Sequence, residues 1–157
     1  MNRNYRMKKL GTNMAILVAT AWVGGLWAIG YVAVPVLFKT LPDRQLAGML
    51  AGNMFTLIAY VGMVSAAYLL VHRLSRFGRA AFRQSTFWVI VVMLLLVMAV
   101  QFGIQPVMAD LKAQALPAEV MHSPFAGRFR ALHGASSIAF LIQSLLGIAL
   151  LLRIERN

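Results

Sequence analysis

Four stretches of this chain contain no Asp, Glu, Lys or Arg, and each is as long as a bilayer core is thick. They run from about Asn13 to Phe38, Leu46 to His72, Gln84 to Ala109 and Ala131 to Leu152. A helix crossing the hydrocarbon needs roughly twenty consecutive apolar residues. A lone segment in lipid must satisfy its backbone N–H and C=O groups internally, so each stretch is predicted to be a helix. Composition points the same way: 61% of residues are hydrophobic and only 12% charged. Such a chain cannot cover its outside with groups that water solvates. The expected fold is all-α, a single integral membrane domain over residues 1–157. Short links between neighbouring spans predict a four-helix up-down bundle, with the longest loop over residues 110–130.

The loops fix an orientation. Arg3, Arg6, Lys8 and Lys9 precede the first span, Arg73, Arg76, Arg79 and Arg83 separate the second from the third, and Arg153 and Arg156 follow the fourth. The opposite side holds only Lys39, Arg44, Lys112, Arg128 and Arg130, together with Asp43, Asp110 and Glu119. Basic loops are retained in the cytoplasm, which predicts both termini inside. This asymmetry accounts for the formal net charge of +11. No nucleic-acid partner is expected, because the basic residues sit between apolar runs and form no soluble basic domain. A cleavable signal peptide is the rival reading of the N-terminus, with Ala19-Thr20-Ala21 as the cleavage site. The apolar run continues to Phe38, however, and a cut there would leave a short first span, so retention is expected.

Local signals add detail. Ser123-Pro124 is expected as an N-cap followed by proline at the first position of the last helix. Pro106 is expected to kink the third. Small residues let helices approach closely in lipid. Gly48-x-x-x-Gly52, Ala21-x-x-x-Gly25, Gly24-x-x-x-Ala28, Gly134 and Gly147 are the candidates. They serve packing within the bundle or, for the Gly48–Gly52 face, a homo-oligomer or a membrane-protein partner.

Uncharged polar residues inside the spans carry the functional argument, since each needs a partner or a cavity. His133, Ser136, Ser137, Phe140, Gln143, Ser144 and Gly147 recur at helical spacing and form one stripe on the fourth helix. Gln101, Gln105 and Met108 share a face of the third, Asn53, Thr56 and Tyr60 of the second, and Thr20, Gly24, Trp27, Tyr31 and Pro35 of the first. Counted by helical rise, Tyr31, Asn53, Thr56, Gln101, Gln105, His133 and Ser136 fall in the outer half of the bilayer. The shared depth predicts a polar cluster inside the bundle that opens outward. It either fixes helix register or binds a small ligand.

Other chemistries have weaker support. The absence of cysteine excludes disulfides, thiolate ligands and thiol nucleophiles. Thioether and imidazole suit monovalent copper, and His133, His122, Met108 and Met121 all lie toward the outer side. Methionine is also ordinary apolar filler in lipid, so no cofactor is required and copper is the alternative. A lone His133 without an orienting carboxylate makes a poor hydrolase, and a non-enzymatic role is expected. Arg73, Arg76, Arg79 and Arg83 could attract anionic lipid beyond serving as a topology signal.

Trp22-x-Gly24-Gly25, Pro35-Val-Leu-Phe38, Leu41-Pro42, Ala47-Gly48 and Phe55 resemble the front half of the transmembrane protein 205-like family. Phe129-x-x-Leu132-His133-Gly134-x-Ser136-Ser137 resembles its closing helix. The bacterial members are catalogued as domain of unknown function 4149. The resemblance implies a four-helix protein of the bacterial inner membrane, places Pro35, Phe38, His133 and Ser136 at motif positions, and implies no particular reaction. A fainter likeness to copper-resistance membrane proteins keeps the copper reading open. The candidate ligand-binding residues are therefore His133, Ser136, Ser137, Asn53, Gln101, Gln105, Tyr31, Pro35 and Phe38. Three functions remain: a small-ligand or partner-binding module, a copper-handling or redox protein, and a structural accessory subunit.

Overall fold

A computed structural model describes residues 3–116 and 118–154, with side chains from Lys9 onward. The side chains of Arg3, Arg6 and Lys8, and the whole of Glu155 and Arg156, lie outside the described residues. The four apolar stretches are four helices long enough to cross a membrane: α1 (Lys9–Thr40), α2 (Arg44–Arg83), α3 (Ser85–Ala115) and α4 (Ala126–Ile154). The protein is thus a multi-pass, all-helical membrane bundle. Its outward faces carry Leu57, Val64, Val71, Leu95, Ile138 and Leu145, all well exposed, as a surface solvated by lipid requires. Every helix outruns its charge-free core, so the chain between α3 and α4 that is not in either helix is only residues 116–125.

The turns follow local chemistry. The Asp43 carboxylate accepts from the backbone N–H groups of Gln45 (2.8 Å) and Leu46 (3.1 Å), capping α2. Gly78, at φ 53°, stops the α-helical part of α2 after Phe77, a backbone position that side chains with a Cβ resist. The start of α4 differs from expectation. Ser123 accepts at its hydroxyl from Phe125 N–H (3.2 Å) and donates to the Val120 carbonyl (2.8 Å). Its own carbonyl accepts from Ala126 N–H. Those bonds close a turn ahead of the helix, which begins at Ala126 rather than Pro124.

Both intramembrane prolines act by widening a helix instead of sharply breaking it. Ala28–Ala33 of α1 and Ala99–Ile104 of α3 are π-helical, and each runs into an α-helical segment with proline at its start, Pro35 and Pro106. Proline cannot donate to the carbonyl four residues back and its ring collides with that carbonyl. Here those carbonyls belong to Tyr31 and Phe102, inside the wide turns, where the looser i→i+5 winding accommodates them.

This splits the molecule into two halves. In the half holding residues 11, 73, 84 and 154, all four helices pack around Ala15, Ala19, Trp22, Val23, Leu69, Ile90, Met93 and Leu150, a continuous core. Beyond the wide turns the close backbone packing is pairwise: the end of α1 lies on α2, and the end of α3 on α4. No residue of Ala28–Ala33, Val34–Thr40 or Ala99–Ile104 is buried. The fold is a four-helix base carrying two hairpin arms that meet one another through side chains. We call these the terminal half and the loop half.

Of the glycines that allow the closest approaches, Gly25 and Gly147 are among the sequence candidates and Gly62 and Gly30 are not. A Cβ on Gly62 would lie 2.5 Å from Trp22 Nε1, on Gly147 2.9 Å from Val23 Cγ1, on Gly25 2.9 Å from Ile58 Cδ1 and on Gly30 2.1 Å from Phe140 Cζ. Gly48 leaves room for ordinary contact, and Gly24, Gly52 and Gly134 face nothing within 4 Å. Helix contact in lipid depends on which face the neighbour takes, and spacing alone does not report that.

Candidate functional site at the fork between the hairpins

Trp27 is the last α-helical residue before the wide turn of α1, and beyond it α1 stays in contact with α4 through Gly30, Tyr31 and Phe140. Val23 lies against Gly147 and Gly30 against Phe140. The antiparallel register of α1 and α4 therefore puts Trp27 level with Gln143 and Ser144. Gln143 and Ser144 are almost fully buried, at 5% and 4% exposure. The Gln143 side chain donates from Nε2 to the Met93 carbonyl on α3 (3.1 Å). Its Oε1, the Ser144 hydroxyl oxygen and the Trp27 indole N–H are buried and have no hydrogen-bond partner among the described residues. An orphaned polar group away from water costs on the order of 1–3 kcal/mol, and three fall in adjacent turns of two helices. One is a donor, one an acceptor and the hydroxyl is both.

Above this floor, Phe140 of α4 bridges the arms. Its ring meets Tyr31 of α1 edge-on (centroids 5.2 Å) and Phe55 of α2 likewise (5.8 Å). At the far end Lys112 of α3 ties the arms: its Nζ reaches the Gly48 carbonyl on α2 (3.5 Å) and lies 5.6 Å from the centroid of the Phe129 ring on α4. Phe38 of α1 is the nearest side chain to Gly48. The His133 ring stacks on Phe129 (6.1 Å).

The residues proposed from sequence distribute as follows. Tyr31, Pro35, Phe38, Asn53, His133 and Ser137 are exposed, while Gln101, Gln105 and Ser136 are half-buried. The two serine hydroxyls turn back on their own helix, Ser136 to the Leu132 carbonyl (3.0 Å) and Ser137 to the His133 carbonyl (2.9 Å). Ser136 also lies 3.9 Å from Met108 Sδ, which joins α3 to α4. Of the residues considered for copper, Met108 is buried at that contact and His133, His122 and Met121 are exposed. His122 lies 3.6 Å from Glu119. Among the described residues no group of three or more His, Asp or Glu is arranged to hold a metal ion.

The deepest part of the site was not singled out by sequence. Trp27, Gln143 and Ser144 stand in the polar stripes of α1 and α4, but they fall at mid-bilayer, below the depth at which four helices all offer polar groups. Gln143 is the one amide at that depth on α4, a signal available in the sequence. Which stripe residues are enclosed depended on where the arms diverge.

No curated protein and no solved structure matches the chain. A family model does match, over residues 17–117, well over half of the sequence and all but the start of the first three helices. The protein belongs to the family described as domain of unknown function DUF4149.

Proposed function

We propose that this protein is a non-enzymatic binding module of the bacterial inner membrane, its termini in the cytoplasm, that holds a small uncharged amphipathic molecule between its two hairpins. The observation that carries the reading is the trio of orphaned buried polar atoms, on Trp27, Gln143 and Ser144, at the point where the arms part. A hydroxyl or carbonyl on the inserted end of a ligand would satisfy them, and its apolar body would lie beside Tyr31, Phe55 and Phe140. A charged group is disfavoured, because no ionic side chain lies at that depth to receive it. The excess of basic residues at the end bearing the termini supports the orientation. The closing-helix motif, Phe129 to Ser137, supports a wider kinship with transmembrane protein 205-like proteins.

Native mass spectrometry of the protein in its own extracted lipid tests this. The wild type is expected to carry a small-molecule adduct, and Gln143→Leu with Ser144→Ala is expected to lose it. Removing an amide with one bond made and one acceptor orphaned should change stability by less than about 1 kcal/mol. Loss of the adduct would therefore be read on a folded bundle. A wild type at its bare sequence mass would overturn the ligand reading and leave the arms as a docking face for a partner subunit. A metal ion lost in His133→Ala would replace it with copper handling.

A further inference from the structure

A second polar cleft lies at the other end of the molecule, between α1, α2 and the end of α4. Its polar wall is Thr12, His72, Arg73 and Arg76, its apolar wall includes Leu69 and Phe77, and it is open to the surroundings. Arg73 is 4% exposed. Its guanidinium donates to Gln84 Oε1 (3.0 Å) and to the Ile154 carbonyl (3.3 Å), while Arg76 donates to the Thr12 hydroxyl. Both guanidinium carbons stand over the Phe77 ring, at 5.7 and 5.2 Å from its centroid. Two cationic forks are thus fixed beside one ring and one histidine, with more N–H donors than the protein acceptors just named use.

No carboxylate lines the cleft among the described residues. Three of the chain's four acidic residues, Asp43, Asp110 and Glu119, belong to the loop half. A buried guanidinium facing only neutral acceptors is an incomplete arrangement, and planar forks suit phosphate oxygens. His72 is the last residue of the second charge-free stretch, so the cleft lies at the level of lipid headgroups. Arg79 and Arg83, in the Gly78–Arg83 turn, are exposed and do not line it. We infer that this cleft binds the phosphate of an anionic membrane lipid, held by Arg73 and Arg76 with His72 and Thr12 beside them. The four-arginine cluster then divides into buried Arg73 and exposed Arg76, which line the cleft, and exposed Arg79 and Arg83, which do not.

The test is lipid retention by native mass spectrometry, from nanodiscs containing equal dioleoylphosphatidylglycerol and dioleoylphosphatidylcholine at about 0.3 M salt, where exposed charges are screened. The wild type is expected to retain phosphatidylglycerol in preference. Arg76→Gln should weaken that preference about five- to tenfold, the effect of one charge-assisted phosphate contact. Arg79→Gln with Arg83→Gln removes twice the charge from outside the cleft and should weaken it less. Retention unaffected by millimolar inorganic phosphate identifies the lipid as the ligand, whereas displacement would assign the site to free phosphate and overturn the lipid. An equal or larger loss in the Arg79/Arg83 double variant overturns the site in favour of diffuse attraction. So does equal retention of both lipids. Preference that appears only in Glu155→Gln would also overturn it, since the chain's own carboxylate would then be the anion.

Discussion

Gly62→Ala is expected to destabilise the bundle by about 3 kcal/mol, the upper end of what a single added methyl does to a packed interior. The new Cβ would lie 2.5 Å from Trp22 Nε1 and 3.1 Å from Cε2. Relief requires moving an indole ring that is 1% exposed, enclosed by the core of the terminal half. A flexible chain end would yield; a ring wedged among Ala15, Ala19, Ala66 and Leu69 would not, because interiors are packed as densely as organic crystals. Unfolding in mixed micelles measures the cost. Gly52→Ala is the matched control on the same helix: nothing lies within 4 Å of its Cβ position, so alanine there should be neutral or slightly stabilising through helix propensity. Trp22→Leu should be costly alone and less than additive with Gly62→Ala, since the smaller side chain admits the methyl. Equal costs at Gly62 and Gly52 would contradict the close α1–α2 approach.

Arg73→Ala is expected to cost about 3–5 kcal/mol. The side chain joins three parts of the chain at one point: α2, the start of α3 through Gln84, and the last described turn of α4 through the Ile154 carbonyl. The last bond places a cation at the negative end of a helix dipole, where the terminal carbonyls lack partners. Hydrogen bonds to a charged group contribute about 1.5–3 kcal/mol each, and their loss here leaves buried acceptors unpaired. Arg73→Lys keeps the charge but not the fork, and a single ammonium cannot serve two acceptors on different elements as a guanidinium does. It should recover less than half of the loss. Hydrogen exchange should show the end of α4 opening in both variants, with the loop half unaffected.

Arg73 also shows why the site was only partly legible. Its position in sequence, beside three other arginines at the end of a span, marks it as one of a surface cluster. The structure buries it and leaves Arg79 and Arg83 outside, because Gly78 turns the chain before them. His133 and Asn53 illustrate the converse. Depth and helical face were readable for both, yet both are exposed, since beyond the wide turns each helix has one close neighbour rather than two.

The sequence by itself determined that the chain is a membrane protein, the number of its spanning helices and their antiparallel order, because bilayer thickness and backbone hydrogen bonding leave a charge-free apolar stretch no other course. From sequence Pro106 is expected to perturb its helix, whereas Pro35 is only a stripe and motif residue. Only the tertiary structure decided that both are absorbed as wide turns at matching depth on opposite helices, that the bundle forks there, and that Trp27, Gln143 and Ser144 are the groups left enclosed at the fork. Those outcomes depend on which face each helix turns to its neighbours. In lipid, where apolar burial supplies no driving force, that choice rests on a few close fits such as Gly62 on Trp22 and Gly30 on Phe140, which no spacing rule along one chain can encode.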